Sequence, residues 1–150
     1  MSGKNLNSFL QTNSIQAEHL YFSQSCHSVA EAASAAKADP DDFVKSICMI
    51  DRNNLIVAIV AGTDRASAAK VGSVLNIAKP RIATPAEVLS KTGYPVGGVP
   101  PFGYSATFLI DKKVLEKHFV YGGGGSEQSL IKISPVELQK ANKAIIANIV

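Results

Sequence analysis

The sequence predicts an α+β fold with a mixed or largely antiparallel sheet. Three observations carry this prediction. Two β-rich runs, Phe43–Ile50 and Leu55–Ala61, follow one another across a short polar link, which reads as a hairpin rather than a crossover. Helix-start signals stand at Ser28, Thr84 and Ser134, far apart along the chain. Strands and helices do not alternate strictly, and several strands are adjacent, so a Rossmann sheet is not expected. At 150 residues, 46% hydrophobic and 18% charged, the chain has the composition of one domain, residues 1–150, with its own core.

The elements follow in order. Residues 4–12 read as a short helix carrying Leu6, Phe9 and Leu10, and a strand runs through His19-Leu20-Tyr21-Phe22. Ser28-Val29-Ala30-Glu31 is a capping box, in which the serine accepts the amide three residues on and the glutamate reaches back to the cap. The alanine-rich helix it opens stops before Pro40. Asp51-Arg52-Asn53-Asn54 joins the two β-rich runs. A helix from about Arg65 to Asn76 follows, with Thr63 or Asp64 as its cap. Thr84-Pro85-Ala86-Glu87 supplies cap, proline at the first helical position and glutamate at the third; Ser134-Pro135-Val136-Glu137 repeats it. Between them lie strands near Thr107–Ile110, Phe119–Tyr121 and Leu130–Ile133, and a short helix at 112–117. Residues 144–150 close with a strand.

Bulk properties exclude several classes. No apolar run reaches 18 residues, so no membrane span is expected. The first residues lack the apolar stretch of a signal peptide, and the chain reads as cytoplasmic. Cys26 and Cys48 form no CxxC pair, so neither a zinc site nor a disulfide framework is indicated. Net charge is +3, from 15 basic and 12 acidic residues; this permits an anionic partner without the dense clusters of a duplex-gripping protein.

Chemistry concentrates in three places. Tyr94–Tyr104 holds three glycines and three prolines in eleven positions, interleaved with Val96, Val99 and Phe102. Proline fixes φ and glycine admits φ > 0, so this loop is stiff, apolar and suited to lining a pocket. Lys45 lies within a strand that looks buried on both faces, where an ammonium needs water or an anion. It reads either as a lysine snorkelling to solvent or as a cation at a cleft floor. Gly122–Gly125 follows a strand but matches neither a Walker A loop nor GxGxxG; it is a bulge or a wall that a ligand approaches closely. No HExxH or GxSxG is present. His19, His27 and His118 are scattered and read as surface or structural residues, and nothing in the spacing of Ser105, Asp111 and His118 supports a triad.

Taken together, Val44-Lys45-Ser46, Gly97-Gly98-Val99-Pro100-Pro101-Phe102-Gly103 and the glycine run before Ile131–Leu138 resemble the YbaK/ProX family of freestanding aminoacyl-tRNA deacylases, relatives of the editing domain of bacterial prolyl-tRNA synthetase. The resemblance runs from about residue 5 to 140, and its specific part is the Gly-x-x-x-Pro pattern at Gly97–Pro101. It implies an α+β domain with a barrel-like sheet flanked by helices. It also implies hydrolysis of a small wrong amino acid from tRNA(Pro), without metal or cofactor and with help from the substrate itself. The partners implied are the aminoacylated 3′-end of tRNA and prolyl-tRNA synthetase. Lys45 matches the lysine that engages the terminal adenosine end. Gly97 and Gly98 match the loop at the reacting carbonyl, with Gly98 favoured for backbone contact. Ser46, Val99, Pro100, Pro101, Phe102 and Gly103 would bound the pocket, with Gly123 and Gly124 as a further wall. Relatives often carry histidine where this chain has Tyr104, also assigned to the pocket. The alternatives are a binding module that holds tRNA or a synthetase without turnover, and a small-ester hydrolase using Ser105 and His118.

Overall fold

Leu6 and Leu10, one helical turn apart, are buried and hold α1 (Ser2–Thr12) on the core of the computed structural model, which describes residues 2–150. The three start signals each cap a helix: Ser28 for α2 (Val29–Ala36), Thr84 for α4 (Pro85–Thr92) and Ser134 for α5 (Pro135–Asn142). In each, the hydroxyl accepts the amide three residues on. Only Thr84 and Glu87 complete the reciprocal box, with Glu87 also bidentate to Arg81. Glu31 instead accepts from the Ser25 hydroxyl at 3.2 Å, and Glu137 from the Gln16 amide at 2.8 Å. Tertiary donors outcompete the local cap at these two sites.

Helix α3 (Ala68–Leu75) starts later than predicted. Its cap is Ser67, which accepts the Lys70 amide, not Thr63 or Asp64. The Asp64 amide closes a turn onto Ala61, and the Ser67 amide donates to Ile149 O at 2.7 Å. Those ties keep residues 64–67 out of the helix. The predicted helix at 112–117 is a 3₁₀ turn, Lys112–Glu116, capped by Asp111.

Eight strands form two sheets among the described residues: β1 (Ala17–Tyr21), β2 (Val44–Asp51), β3 (Asn54–Ala61), β4 (Arg81–Ile82), β5 (Thr107–Asp111), β6 (Val120–Gly123), β7 (Ser129–Ile133) and β8 (Ile145–Ala147). The larger sheet has the order β4-β2-β3-β5-β8, and the smaller β1-β7-β6. Pairing is antiparallel throughout the small sheet and across β4-β2-β3, and parallel from β3 through β5 to β8. The mixed α+β class is therefore as predicted. The strands sit in two sheets joined by one bridge, Phe43↔Tyr121, and do not close into a ring. Asp51 pairs with Asn54, leaving the two-residue turn Arg52-Asn53 with Arg52 at φ 58°. The two-residue strand β4 carries no alternation that a sequence reading can detect.

Leu55–Val60 is buried at every position because both faces of the large sheet are covered. One face packs Val57, Ile59 and Ile110 with Leu6, Ile131 and Leu138, from α1, β7 and α5. The other packs Ile56, Ala58 and Val60 with Val71 of α3 and Ile149. Helix α2 lays Ala32 and Ala33 against Phe43, Tyr121 and Leu130. No helix among the described residues is long and apolar enough to cross a membrane.

Candidate active site

A cavity of about 310 Å³ opens between β2, the Gly/Pro loop, β6 and the segment leading into α2. Six consecutive residues of the β2 run, Phe43 to Cys48, line it. A cavity on one face of a sheet touches alternate residues only. Consecutive lining means that this one lies across the edge of the strand. Val96, Gly97 and Val99 form the opposite wall, Gly122 and Gly123 a third, and Ile82 and Val96 leave an exposed apolar lip.

The loop is clamped from behind. Phe102 is fully buried and stacks on Phe9, with ring centroids 5.5 Å apart. Pro101 packs on Gly122, where a Cβ would meet the proline ring at 3.2 Å. The Asn142 amide donates to Pro101 O at 3.0 Å, and the Gly125 amide to Gly98 O at 2.8 Å. The Tyr104 hydroxyl donates to Pro100 O at 2.7 Å, its ring tilted against Tyr94 and Phe108. Burial pushes the Tyr104 phenol well above its ordinary range. Tyr104 is thus a strut of the loop, and it does not line the cavity.

Of the residues expected at the site, Lys45, Ser46, Gly97, Val99 and Gly123 line the cavity. Pro100, Pro101, Phe102, Gly103 and Gly124 do not; they stand behind the wall and set its position. Gly98 is buried, and its amide donates to Pro95 O at 3.0 Å in a turn, so it is not open to a ligand. The neighbouring amides of Gly97 and Val99 have no backbone partner among the described residues. Lys45 is half-buried and takes part in none of the ion pairs that the other lysines form with Asp42, Asp64 and Glu137.

Three lining residues, His27, Cys26 and Cys48, are not placed at the site by a sequence reading. His27 lies against Gly97 so closely that a Cβ there would stand 2.3 Å from Nδ1, and its Nδ1 is 3.5 Å from Glu127 Oε1. Only the fold brings residues 27, 97 and 127 together. Cys26 and Cys48 are buried free thiols in the lining, and burial raises the Cys48 pKa to about 11, so it stays a neutral apolar group. His19 is structural: its Nε2 lies 2.7 Å from Gly124 O, and burial lowers its pKa. The Asp111 carboxylate accepts from the Ile149 and Lys113 amides, which occupies it with the fold rather than with Ser105 or His118.

The family profile for the aminoacyl-tRNA editing domain matches residues 23–141, a span containing every lining residue. The chain is 31% identical over 96 residues to proline–tRNA ligase of Thermotoga neapolitana, covering 63% of this chain but 17% of the ligase. It is 29% identical over 121 residues to YwhH of Bacillus subtilis (strain 168), a protein of uncharacterised function, covering 79% of this chain and 77% of YwhH. A crystal structure of a proposed trans-editing enzyme for prolyl tRNA synthetase superposes with a TM-score of 0.88 at 27% identity, over 99% of this chain and 96% of that one. With the profile spanning most of its length and the fold shared end to end, this chain belongs to the aminoacyl-tRNA editing domain family.

Proposed function

We propose that the protein hydrolyses the ester joining a small, wrong amino acid to tRNA, with mischarged tRNA(Pro) as first candidate. One observation carries the reading. Lys45, in no ion pair among the described residues, lines the same cavity as Gly97 and Val99, whose amides have no backbone partner there. A free cation suits the anionic 3′-end of tRNA. Free amides suit the oxygen that becomes negative when an ester carbonyl is attacked.

In the proposed reaction a water oxygen bonds to the carbonyl carbon, and the π pair moves to the carbonyl oxygen under the Gly97 and Val99 amides. The intermediate then re-forms the carbonyl and expels the ribose 3′-oxygen, which takes up the proton given up by the attacking water. The adjacent ribose hydroxyl positions the water, and the reaction proceeds without a metal ion. The clamped loop explains selectivity. A binding site discriminates one methylene by only about 1–3 kcal/mol, so a synthetase for proline leaks smaller amino acids. A second pocket with rigid walls rejects proline by size. The supporting kinship is with proteins described as proline–tRNA ligases and a trans-editing enzyme. We place the activity in the cytoplasm, with charged tRNA and prolyl-tRNA synthetase as partners.

A deacylation panel of alanyl-, cysteinyl-, seryl- and prolyl-tRNA(Pro) tests this. At least one small aminoacyl ester should be cleaved and the prolyl ester spared, and Lys45→Ala should abolish cleavage with the fold intact. Micromolar tRNA binding without turnover on any ester refutes the enzyme. Wild-type rates in Lys45→Ala refute the site.

A further inference from the structure

The cavity lies on a stretch of β2 whose outer edge has no paired strand among the described residues. In an antiparallel ladder, the N–H and C=O of a residue point to the same side, and the side alternates along the strand. Cys48 O accepts the Ala83 amide at 3.0 Å, on the β4 side, whereas Phe43 O accepts the Gly62 amide at 2.7 Å, on the β3 side. Ser46 therefore points its main-chain groups to the same outer edge as Cys48. The β2–β4 register, Met49↔Ile82 and Ile50↔Arg81, places Pro85 opposite Ser46 when extended. Proline has no N–H to give, and Pro85 is already the first residue of α4. At the other end of the strand, the small sheet lies against β2, and among the described residues its one β pairing to this run is the Phe43↔Tyr121 bridge. Between these two contacts Ser46 is half-buried and lines the cavity, and among the described residues no backbone group outside the ladders bonds to it.

Ser46 is half-buried at the cavity wall, so a carbonyl left there without a protein donor suits a ligand that supplies one. Among the described residues the lining contains no aspartate or glutamate, and its one full cation is Lys45. A bound ammonium therefore has no carboxylate to meet there and must rely on neutral acceptors, of which a strand carbonyl facing the cavity is one. We propose that the open main-chain edge at Ser46 is the α-ammonium site of the pocket: Ser46 O accepts from the free amino group of the aminoacyl ester, as it would from the next strand of a sheet. This rests on the deacylase reading above. It adds that the pocket selects esters of α-amino acids over acyl esters of the same size, and does so through the backbone.

The test compares alanyl-tRNA(Pro) with propionyl-tRNA(Pro), which lacks only the amino group. Each enzymatic kcat/KM is divided by that ester's own spontaneous hydrolysis rate, because the ammonium itself activates the ester. The normalised value should fall about 10- to 100-fold for the propionyl ester, the worth of one hydrogen bond to a charged group. Equal normalised values overturn the proposal and leave the deacylase reading standing. A second measurement does not depend on turnover. The stable amides of 3′-amino-3′-deoxyadenosine with alanine and with propionic acid are titrated into labelled protein, and the carbonyl carbon of Ser46 is followed by NMR. A shift with the alanyl amide and none with the propionyl amide supports the site even if no ester is cleaved. The same shift with both, or with neither, overturns it.

Discussion

Gly123 is the position where one methyl group tests how the pocket is built. A Cβ placed there would stand 2.2 Å from Val99 O and 2.7 Å from Val99 C, whereas ordinary contact begins near 3.4 Å. Both obstacles are backbone, so no rotamer change relieves them. In Gly123→Ala, strand β6 and the loop must separate by about 1 Å, a displacement that can cost on the order of 10²-fold in rate when it misplaces reacting groups. The loop cannot yield freely, because Phe102, Asn142 and Gly125 hold it from behind. Overpacking of this kind costs about 1–3 kcal/mol. For a chain of this length that lowers Tm by about 2–12 °C. Urea unfolding gives the stability change, and deacylation of the best ester in the panel gives the rate at a temperature where the variant is folded. A folded variant should therefore lose about two orders of magnitude in kcat/KM. Wild-type stability together with wild-type rate would refute the claim that the contact of Gly123 with Val99 sets the wall.

Two further outcomes follow from the same geometry. Tyr104→Phe removes the hydrogen bond to Pro100 O and leaves that buried carbonyl unpaired; a loss of about 1–2 kcal/mol is expected in urea unfolding, and an unchanged midpoint would remove Tyr104 as the strut. His19 has its pKa lowered from 6.5, first by burial and against the bond to Gly124 O. The native state then binds fewer protons than the unfolded chain, so stability is complete above about pH 6.5 and declines as pH falls below it. His19→Gln should flatten that decline in a series of urea midpoints taken between neutral and acid pH. An unaltered slope would assign it to other groups.

Much of the local structure was legible because it rests on short-range chemistry. The hydroxyls of Ser28, Thr84 and Ser134 meet amides three residues away, and the Asp51–Asn54 turn closes within four residues. Lys45 was legible as an anomaly, a charge within a mostly apolar strand, and it does line the cavity. The missed parts are those decided by competition between distant groups. Glu31 and Glu137 left their caps for Ser25 and Gln16, and Ser67 took the start of α3 because Ile149 O claimed its amide.

The sequence by itself determined that this is an α+β chain with a stiff Gly/Pro loop and a cation in a buried strand, because φ restriction and burial cost belong to single residues. Tertiary structure alone decided which loop amides stay free, that His27 covers Gly97, and that the edge of Ser46 away from β3 has no strand paired to it among the described residues. Those features depend on register. The amide of Gly98 is lost to Pro95 and that of Gly97 is not, and Pro85 rather than a donor falls opposite Ser46. A register is the joint result of every pair in a sheet, so no short stretch of sequence carries it.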